Sequence, residues 1–551
     1  MNLPNIPFFE HESLGDIILQ NDDVLDILQN LNVTKASGPD GLSARVLKEC
    51  ANQIVSPLCH IFNMSLRDGA LPREWLEANV IPVYKKSDKQ YVGNYRPVSL
   101  LSICGKIMER AIVNLAFPSI KEKLYHLQHG FIKGRSTVTQ LLEVFHEVSA
   151  ILDNAGQVDM VYLDFSKAFD SVSHKLLLHK LRSFGFHSNL LSWFEAYLTG
   201  RRQRVVVDGI HSDWLPVVSG VPQGSILGPL LFVLYINDLP SVAQHTKIAL
   251  FADDAKCYTN VKTSSDCERL QADLNALVSW SNTWQLNFHP SKCQVITMSR
   301  RRKPVVFDYI MDGNSLSKID TIKDLGVDIS AKLVWDTHVN RVVKKCNRKM
   351  GMIMRTVGFH APVKVTKTLY SSLIRSDLEY GSCLWSGTSK HNVQVLEGVQ
   401  RRATKFILHY PDQDYKERLT SLKLLPLTLR RDKFDLLFFY KCKEGHYDLN
   451  IDNFTEFSVR NGLGHPTTRS SSDSFKLKSQ FCKTEAHIAF YFNRIVPLWN
   501  QLPLSTRKAG SFSIFKFGVG VFLRSHFKQN FCPSNTCSWS ATCRCSNCRL
   551  N

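Results

Sequence analysis

Two kinds of apolar pattern alternate along this chain. Short dense runs bounded by turn residues read as strands; longer stretches with apolar positions every three or four residues read as helices. Residues 80–84, 160–163, 248–251 and 294–298 are runs of the first kind. Residues 204–207 and 214–218 flank Asp208-Gly209, and residues 305–310 and 315–319 flank Asp312-Gly313-Asn314. Both arrangements predict hairpins. Helical spacing marks residues 24–31, residues 174–185 with a glycine stop, and most of 331–450. Near the start of that last region Val339, Val342, Val343, Cys346, Met350 and Ile353 form one stripe of a helix. Arg341, Lys344, Lys345, Arg348 and Lys349 form another. Residues 451–485 are rich in Ser, Asn, Gly and Thr and read as a loose linker, after which helical character returns over 486–523.

The length, 551 residues, exceeds what one hydrophobic core organises, so two to four domains are expected. A hydrophobic fraction of 44% places the chain among globular proteins. Its net charge of +19 suits a polyanionic partner, nucleic acid or an anionic membrane. There is no apolar run of about 18 residues and no leader pattern at the start. The chain therefore reads as soluble and intracellular, in nucleus and cytoplasm, with no membrane partner. Cysteines such as Cys59, Cys104 and Cys383 sit singly in apolar segments, as small core residues do in a reducing compartment. The tail differs, with Cys532, Cys537, Cys543, Cys545 and Cys548. A zinc knuckle and a flexible thiol-rich tail both fit it.

The sharpest chemical signal is Phe251-Ala252-Asp253-Asp254, at the end of the apolar run 248–251. Two adjacent carboxylates there lose water beside a like charge, so something positive must hold them. A hard divalent cation such as Mg²⁺ does so. A third carboxylate, Asp164, ends the buried strand 160–163 and would complete a two-metal site for phosphoryl transfer. Between the two lies Gly220-Val221-Pro222-Gln223-Gly224-Ser225, a loop opening an apolar helix. Gly224 permits close backbone approach, and Gln223 offers a neutral amide for sugar or base contact.

Strand-Asp, then Pro-Gln-Gly loop, then Asp-Asp hairpin, in that order, resembles the polymerase palm of reverse transcriptases. The resemblance is to the non-LTR (LINE-type) retrotransposon enzymes, the jockey-like group in particular. Further blocks carry it: Lys35-Ala36-Ser37-Gly38-Pro39-Asp40-Gly41, Asn94-Tyr95-Arg96-Pro97-Val98-Ser99, Gln128-His129-Gly130-Phe131, Gly134-Arg135-Ser136-Thr137, Leu286-Asn287-Phe288-His289-Pro290-Ser291-Lys292-Cys293 and Leu325-Gly326-Val327-Asp328. They span about residues 30–335.

The resemblance implies an α+β right hand with helical fingers, an antiparallel palm sheet and a helical thumb, plus a mainly helical C-terminal region. The implied divisions are an N-terminal segment 1–34, fingers 35–155, palm 156–330 and thumb 331–450. A linker 451–485, helices 486–530 and a Cys-rich tail 531–551 complete the chain. It implies an RNA-directed DNA polymerase extending a DNA 3′ end on an RNA template with dNTPs and two Mg²⁺ ions, Mn²⁺ being a possible substitute. A non-catalytic nucleic-acid-binding remnant, or a group II intron-type reverse transcriptase-maturase, is the alternative. Relatives carry an upstream endonuclease, for which residues 1–34 leave no room.

Residue roles follow from the same resemblance. Asp164 and Asp253 ligate metal, with Asp254 a weaker ligand or an orienting group. Lys85, with Lys86 as rival, and Arg96 grip the triphosphate. Lys292 donates a proton near the leaving pyrophosphate. Phe169 fills the sugar-gate position, where a ring excludes a ribose 2′-hydroxyl. Arg135 touches template backbone. Leu325 and Gly326 form the primer grip, and Arg341, Lys344, Lys345 and Arg348 line a duplex.

Overall fold

The computed structural model of the chain describes residues 3–4, 17–85, 87–409, 413–458 and 475–529. Lys86 and the Cys-rich tail lie outside the described residues. In chain order the strands are β1 (Glu77–Tyr84), β2 (Tyr95–Leu101), β3 (Gln157–Leu163), β4 (Arg202–Val207), β5 (Ile210–His211), β6 (Leu215–Pro216) and β7 (Lys247–Phe251). They continue with β8 (Asp254–Asn260), β9 (Gln294–Ser299), β10 (Ile310–Met311), β11 (Asn314–Ser315), β12 (Ser317–Lys318), β13 (Thr321–Asp324) and β14 (Val327–Ser330). Helices surround them in a mixed α/β architecture.

The central sheet runs β12–β9–β3–β8–β7. β3 is antiparallel to both its neighbours, β8 and β9. Successive side chains on a strand point to opposite faces, so a strand covered on both sides is apolar throughout. Val161 and Leu163 face one core with Ala255, Cys257 and Val295. Val158 and Met160 face a second core with Tyr258, Ile296 and Met298. Covering on both faces explains why residues 160–163 form an unbroken apolar run.

A second sheet, β2–β1–β4–β5 with β6 on β4, lies over part of the region expected to be mainly helical. β1 and β2 form an antiparallel ladder from Ala78↔Leu101 to Tyr84↔Tyr95, and β4 joins β1 in parallel. Both predicted hairpins turn where expected, but their partners are shorter. Asp208 and Gly209, both at positive φ, link β4 to β5, and the later β6 then returns to β4. Asp312-Gly313 links β10 to β11, while Ser317–Lys318 pairs in parallel with β9 instead.

The second core does not stop at the sheet. It joins the helix Thr137–Asp153 to the helices Asp336–Val357, Lys390–Leu408, Leu427–Lys443, Tyr491–Asn500 and Phe512–Gln529. The C-terminal end of the expected linker is also anchored. The Asp153 carboxylate accepts from the backbone N–H of Lys483 at 2.9 Å and of Thr484 at 2.7 Å. Asn500 Oδ1 accepts from Leu477 N at 2.9 Å, and Leu477 is buried. At the other end of the chain the helix Asn21–Gln29 buries Val24, Ile27 and Leu28 in the first core. Among the described residues no helix is long and apolar enough to cross a membrane.

A buried ion pair ties the central sheet to the β13–β14 hairpin. Lys256 Nζ lies 2.5 Å from Asp324 Oδ2, with both side chains almost fully covered. Tyr162 Oη donates to the same oxygen at 2.9 Å. Removing one member leaves the other charged and dry. Lys256→Ala is therefore expected to cost about 3–5 kcal/mol, read as a lowered denaturation midpoint. The paired change Lys256→Met with Asp324→Leu should recover most of that loss.

Candidate polymerase site

Asp164 and the Asp253-Asp254 pair meet because β3 and β8 are antiparallel neighbours ending at the same edge. The last paired residues are Leu163 and Ala255, and one step beyond them stand Asp164 and Asp254. Asp253 sits in the two-residue turn between Phe251 and Asp254. The first residue of that turn, Ala252, is buried at φ +55°, a conformation that alanine does not favour.

A neighbouring segment imposes this conformation. His129 N donates to Leu250 O at 2.8 Å, and Leu250 N donates to Leu127 O at 3.0 Å, so residues 127–129 run beside β7. Gln128 Oε1 then accepts from Ala252 N at 2.9 Å and from Gly130 N at 2.8 Å. A Cβ on Gly130 would lie 2.2 Å from Ala252 N, so only glycine fits there.

Cations surround the carboxylates. Lys292 Nζ is 3.3 Å from Asp164 Oδ2. Asp164 itself is fixed through its backbone, its N–H reaching Cys293 Sγ at 3.4 Å and its carbonyl accepting from His289 N at 2.8 Å. The packed turn strips water from Asp253 and raises its pKa, as does the Asp164 charge; Arg96 and Lys85 pull the other way. Those two cations come from the β1–β2 hairpin, on which Arg96 stands opposite Val83. Asp254 is pushed up to about 6, first by loss of water and then by Asp253 and Asp324, with Lys256 opposing. Asp254 lines a cleft of about 160 Å³ together with Asp164, Lys292, Gln140, Asp324 and Leu325.

The Pro-Gln-Gly loop closes another side. Gln223 O accepts from Ser99 N at 2.8 Å. Gly224 stands at φ +148°, where a Cβ would lie 2.2 Å from Ser99 O. The Gln223 amide is not free: Nε2 donates to Asp170 Oδ1 at 2.8 Å, which leaves its carbonyl oxygen for a ligand. Asp170 thus carries this contact. Phe169 stacks on Phe232 at 4.4 Å and 22°, and its ring is half-buried.

Two expectations about nucleic-acid contacts change. Arg135 was expected on template backbone. Its guanidinium instead donates to the carbonyls of His126 and Gln128, each at 2.7 Å, and to Asp448 at 3.0 Å, and is nearly buried. It pins the segment that holds the Asp-Asp turn. The basic stripe is also divided. Arg341 is paired with Asp328 and donates to Gly326 O at 2.9 Å. Lys345 and Lys349 share Asp377 at 3.0 and 2.7 Å. Lys344 and Arg348 are exposed, and among the described residues neither forms an ion pair. Leu325 and Gly326, both at positive φ, form the tip of the β13–β14 hairpin, and Tyr380 Oη donates to Leu325 O at 2.8 Å.

Sequence reasoning missed Gln128, Lys256 and Asp324. Lys256 alternates out of an apolar strand, a buried cation in a β ladder, and that was the available signal. Gln128 carried none beyond its block.

The carboxylates fit a hard cation by their oxygen donors and mutual repulsion. Among the described residues no three His, Cys, Asp or Glu side chains form a closed ligand set.

Residues 83–329 match the family described as reverse transcriptase (RNA-dependent DNA polymerase). The chain is 28% identical over 418 residues to the RNA-directed DNA polymerase from mobile element jockey of Drosophila melanogaster, covering 74% of this chain and 45% of that protein. The Drosophila funebris jockey protein is 31% identical over 335 residues, covering 58% of this chain and 36% of its own length. The Pol polyprotein of the type-1 retrotransposable element R1 of Bradysia coprophila is 25% identical, over 71% of this chain and 39% of its own. The chain thus spans less than half the length of these relatives.

The raised Asp254 pKa makes a stability prediction with a definite sign. Its ordinary value, about 3.9, applies when unfolded. The folded state therefore holds the proton more tightly, and ionisation weakens the fold as pH rises from about 4 through about 6. Asp254→Asn is expected to raise the Tm of the metal-free protein at pH 7 and to leave it unchanged at pH 4. Thermal melts in a chelator at the two pH values check this.

Proposed function

We propose that this chain, whose residues 83–329 are a reverse transcriptase domain akin to those of non-LTR retrotransposons, extends a DNA 3′ end on an RNA template by nucleotidyl transfer. The observation that carries the reading is the meeting of Asp164, just past the end of β3, with Asp253, in the turn before β8, where the charges of Arg96 and Lys85 are felt. Carboxylates set near such cations suit a triphosphate with its counter-ions. Two Mg²⁺ ions, or Mn²⁺ in their place, would be held by Asp164 and Asp253 with Asp254 beside them, and supply activation of the 3′-hydroxyl and charge neutralisation on the phosphates.

The chain's own residues do the rest. Arg96 offers a bidentate fork to phosphate and Lys85 a point charge. Lys292, within 3.3 Å of Asp164, holds the proton that the leaving pyrophosphate needs. Phe169 fills the space beside the incoming sugar and excludes a 2′-hydroxyl. Gln223 and Gly224 form the floor under that nucleotide, kept in position by Ser99 and Asp170. The Leu325-Gly326 tip, whose Leu325 lines the same cleft as Asp164, supports the primer end. In right-hand terms, residues 156–330 act as palm, 35–155 as fingers built on the β1–β2 ladder, and 331–450 as thumb.

Asp253→Asn is expected to abolish primer extension on an RNA template while leaving RNA binding within about twofold, since shape is kept and one charge is lost. Extension by this variant at near the wild-type rate would remove the metal-site assignment. On the thumb, Lys344→Ser with Arg348→Ser is expected to shallow the log-affinity against log-salt slope by about 0.9 per lost phosphate contact. Lys345→Ser, whose partner is Asp377, should leave the slope unchanged. Filter binding across a salt series measures both.

A further inference from the structure

Phe131 is an unexpected residue where it stands. Its backbone lies at φ +59°, a left-handed conformation that bulky side chains rarely adopt. Burial does not compensate, because the side chain is 57% exposed. Glycine would suit the backbone and a polar residue would suit the exposure. Among the described residues its ring meets Phe169 edge to face, with centroids 6.1 Å apart and planes at 87°. Phe169 in turn lies flat on Phe232.

The conformation is imposed from one side. Gly130 is pressed against the Asp-Asp turn and cannot carry a side chain. Gln128 holds Gly130 N and Ala252 N with one oxygen. The residue that follows must leave the turn at once, and the left-handed step carries its ring to Phe169. Strained residues that the surrounding structure holds in place are found where geometry matters to function.

We propose that Phe131 is a positioning residue for sugar discrimination: its ring edge confines Phe169 between Phe131 and Phe232, so that the gate keeps its place beside the incoming ribose. The segment 128–131 then couples two parts of the site, the turn bearing Asp253 and the ring that selects the sugar. This rests on the polymerase reading and on Phe169 as the gate.

The test is the ratio of kcat/KM for dNTP to that for rNTP on one primer-template, with the full chain. Phe131→Gly is the informative variant, because glycine accepts φ +59° and the fold keeps or gains thermal stability. The ratio is expected to fall roughly two- to tenfold, the range an aromatic contact can transmit. Phe131→Tyr, which keeps the ring, should restore it. In a Phe169→Val background, itself low in discrimination, Phe131→Gly should lower the ratio no further. If Phe169→Val lowers the ratio and Phe131→Gly does not, the gate stands and the role of Phe131 falls. If the two effects add in full, Phe131 does not act through Phe169 and the proposal falls as well. If Phe169→Val leaves the ratio unchanged in an enzyme that extends primers, the gate lies elsewhere and both assignments fail together.

Discussion

Like charges must be kept close in this molecule, and antiparallel pairing is what keeps them there. β3 and β8 end at one edge, so their terminal carboxylates cannot avoid each other. Everything nearby answers that constraint. Lys292 neutralises Asp164 from one side, and Arg96 and Lys85 reach Asp253 from another sheet. Gln128 fixes the turn by its backbone, accepting from Ala252 N and Gly130 N with one oxygen. The Lys256–Asp324 pair holds the adjacent hairpin at a fixed distance below.

Much of this was legible in the sequence, for physical reasons. A strand covered on two faces favours an apolar run, so residues 160–163 of β3 stood out, and Asp164 marked the end of that run. The Asp208-Gly209 and Asp312-Gly313 turns announced themselves because few residues accept positive φ. The helix Asp336–Val357 showed both stripes. What pattern could not supply was partnership. Exposure of a cation on a helix face says nothing of the carboxylate that arrives from 30 residues away, and Asp377 takes Lys345 and Lys349 in that manner. Arg135 was misread for the same reason. A conspicuous arginine in a glycine-flanked block suggests phosphate, yet the backbone carbonyls of Tyr125, His126 and Gln128 claim it. The second sheet was under-read at β2, whose burial is uneven, with Arg96 and Pro97 exposed, and whose Pro97 argues against a strand.

The Pro-Gln-Gly loop illustrates how local chemistry and distant contact combine. Gly224 tolerates its backbone angle, which any sequence reader would expect of glycine. The contact that demands it is with Ser99, more than a hundred residues earlier. A loop that touches the candidate nucleotide site is therefore set by the same strand that presents Arg96. Shifts in the β1–β2 ladder would move both the phosphate grip and the floor beneath the sugar.

The second core has a consequence for how the protein comes into being. It begins at Leu127 and closes with Phe527. During synthesis the strands that carry Asp164 and Asp253 emerge long before the helices that cover their far face. Until residues 491–527 have left the ribosome, Val148, Met160, Ile296 and their neighbours have only part of their cover. A polypeptide that stops after the hairpin at Ser330 would contain every candidate ligand and still lack the surface that holds them. The candidate ligands thus lie within residues 164–254, while part of the apolar cover on the far face of their sheet comes from helices as late as Phe512–Gln529.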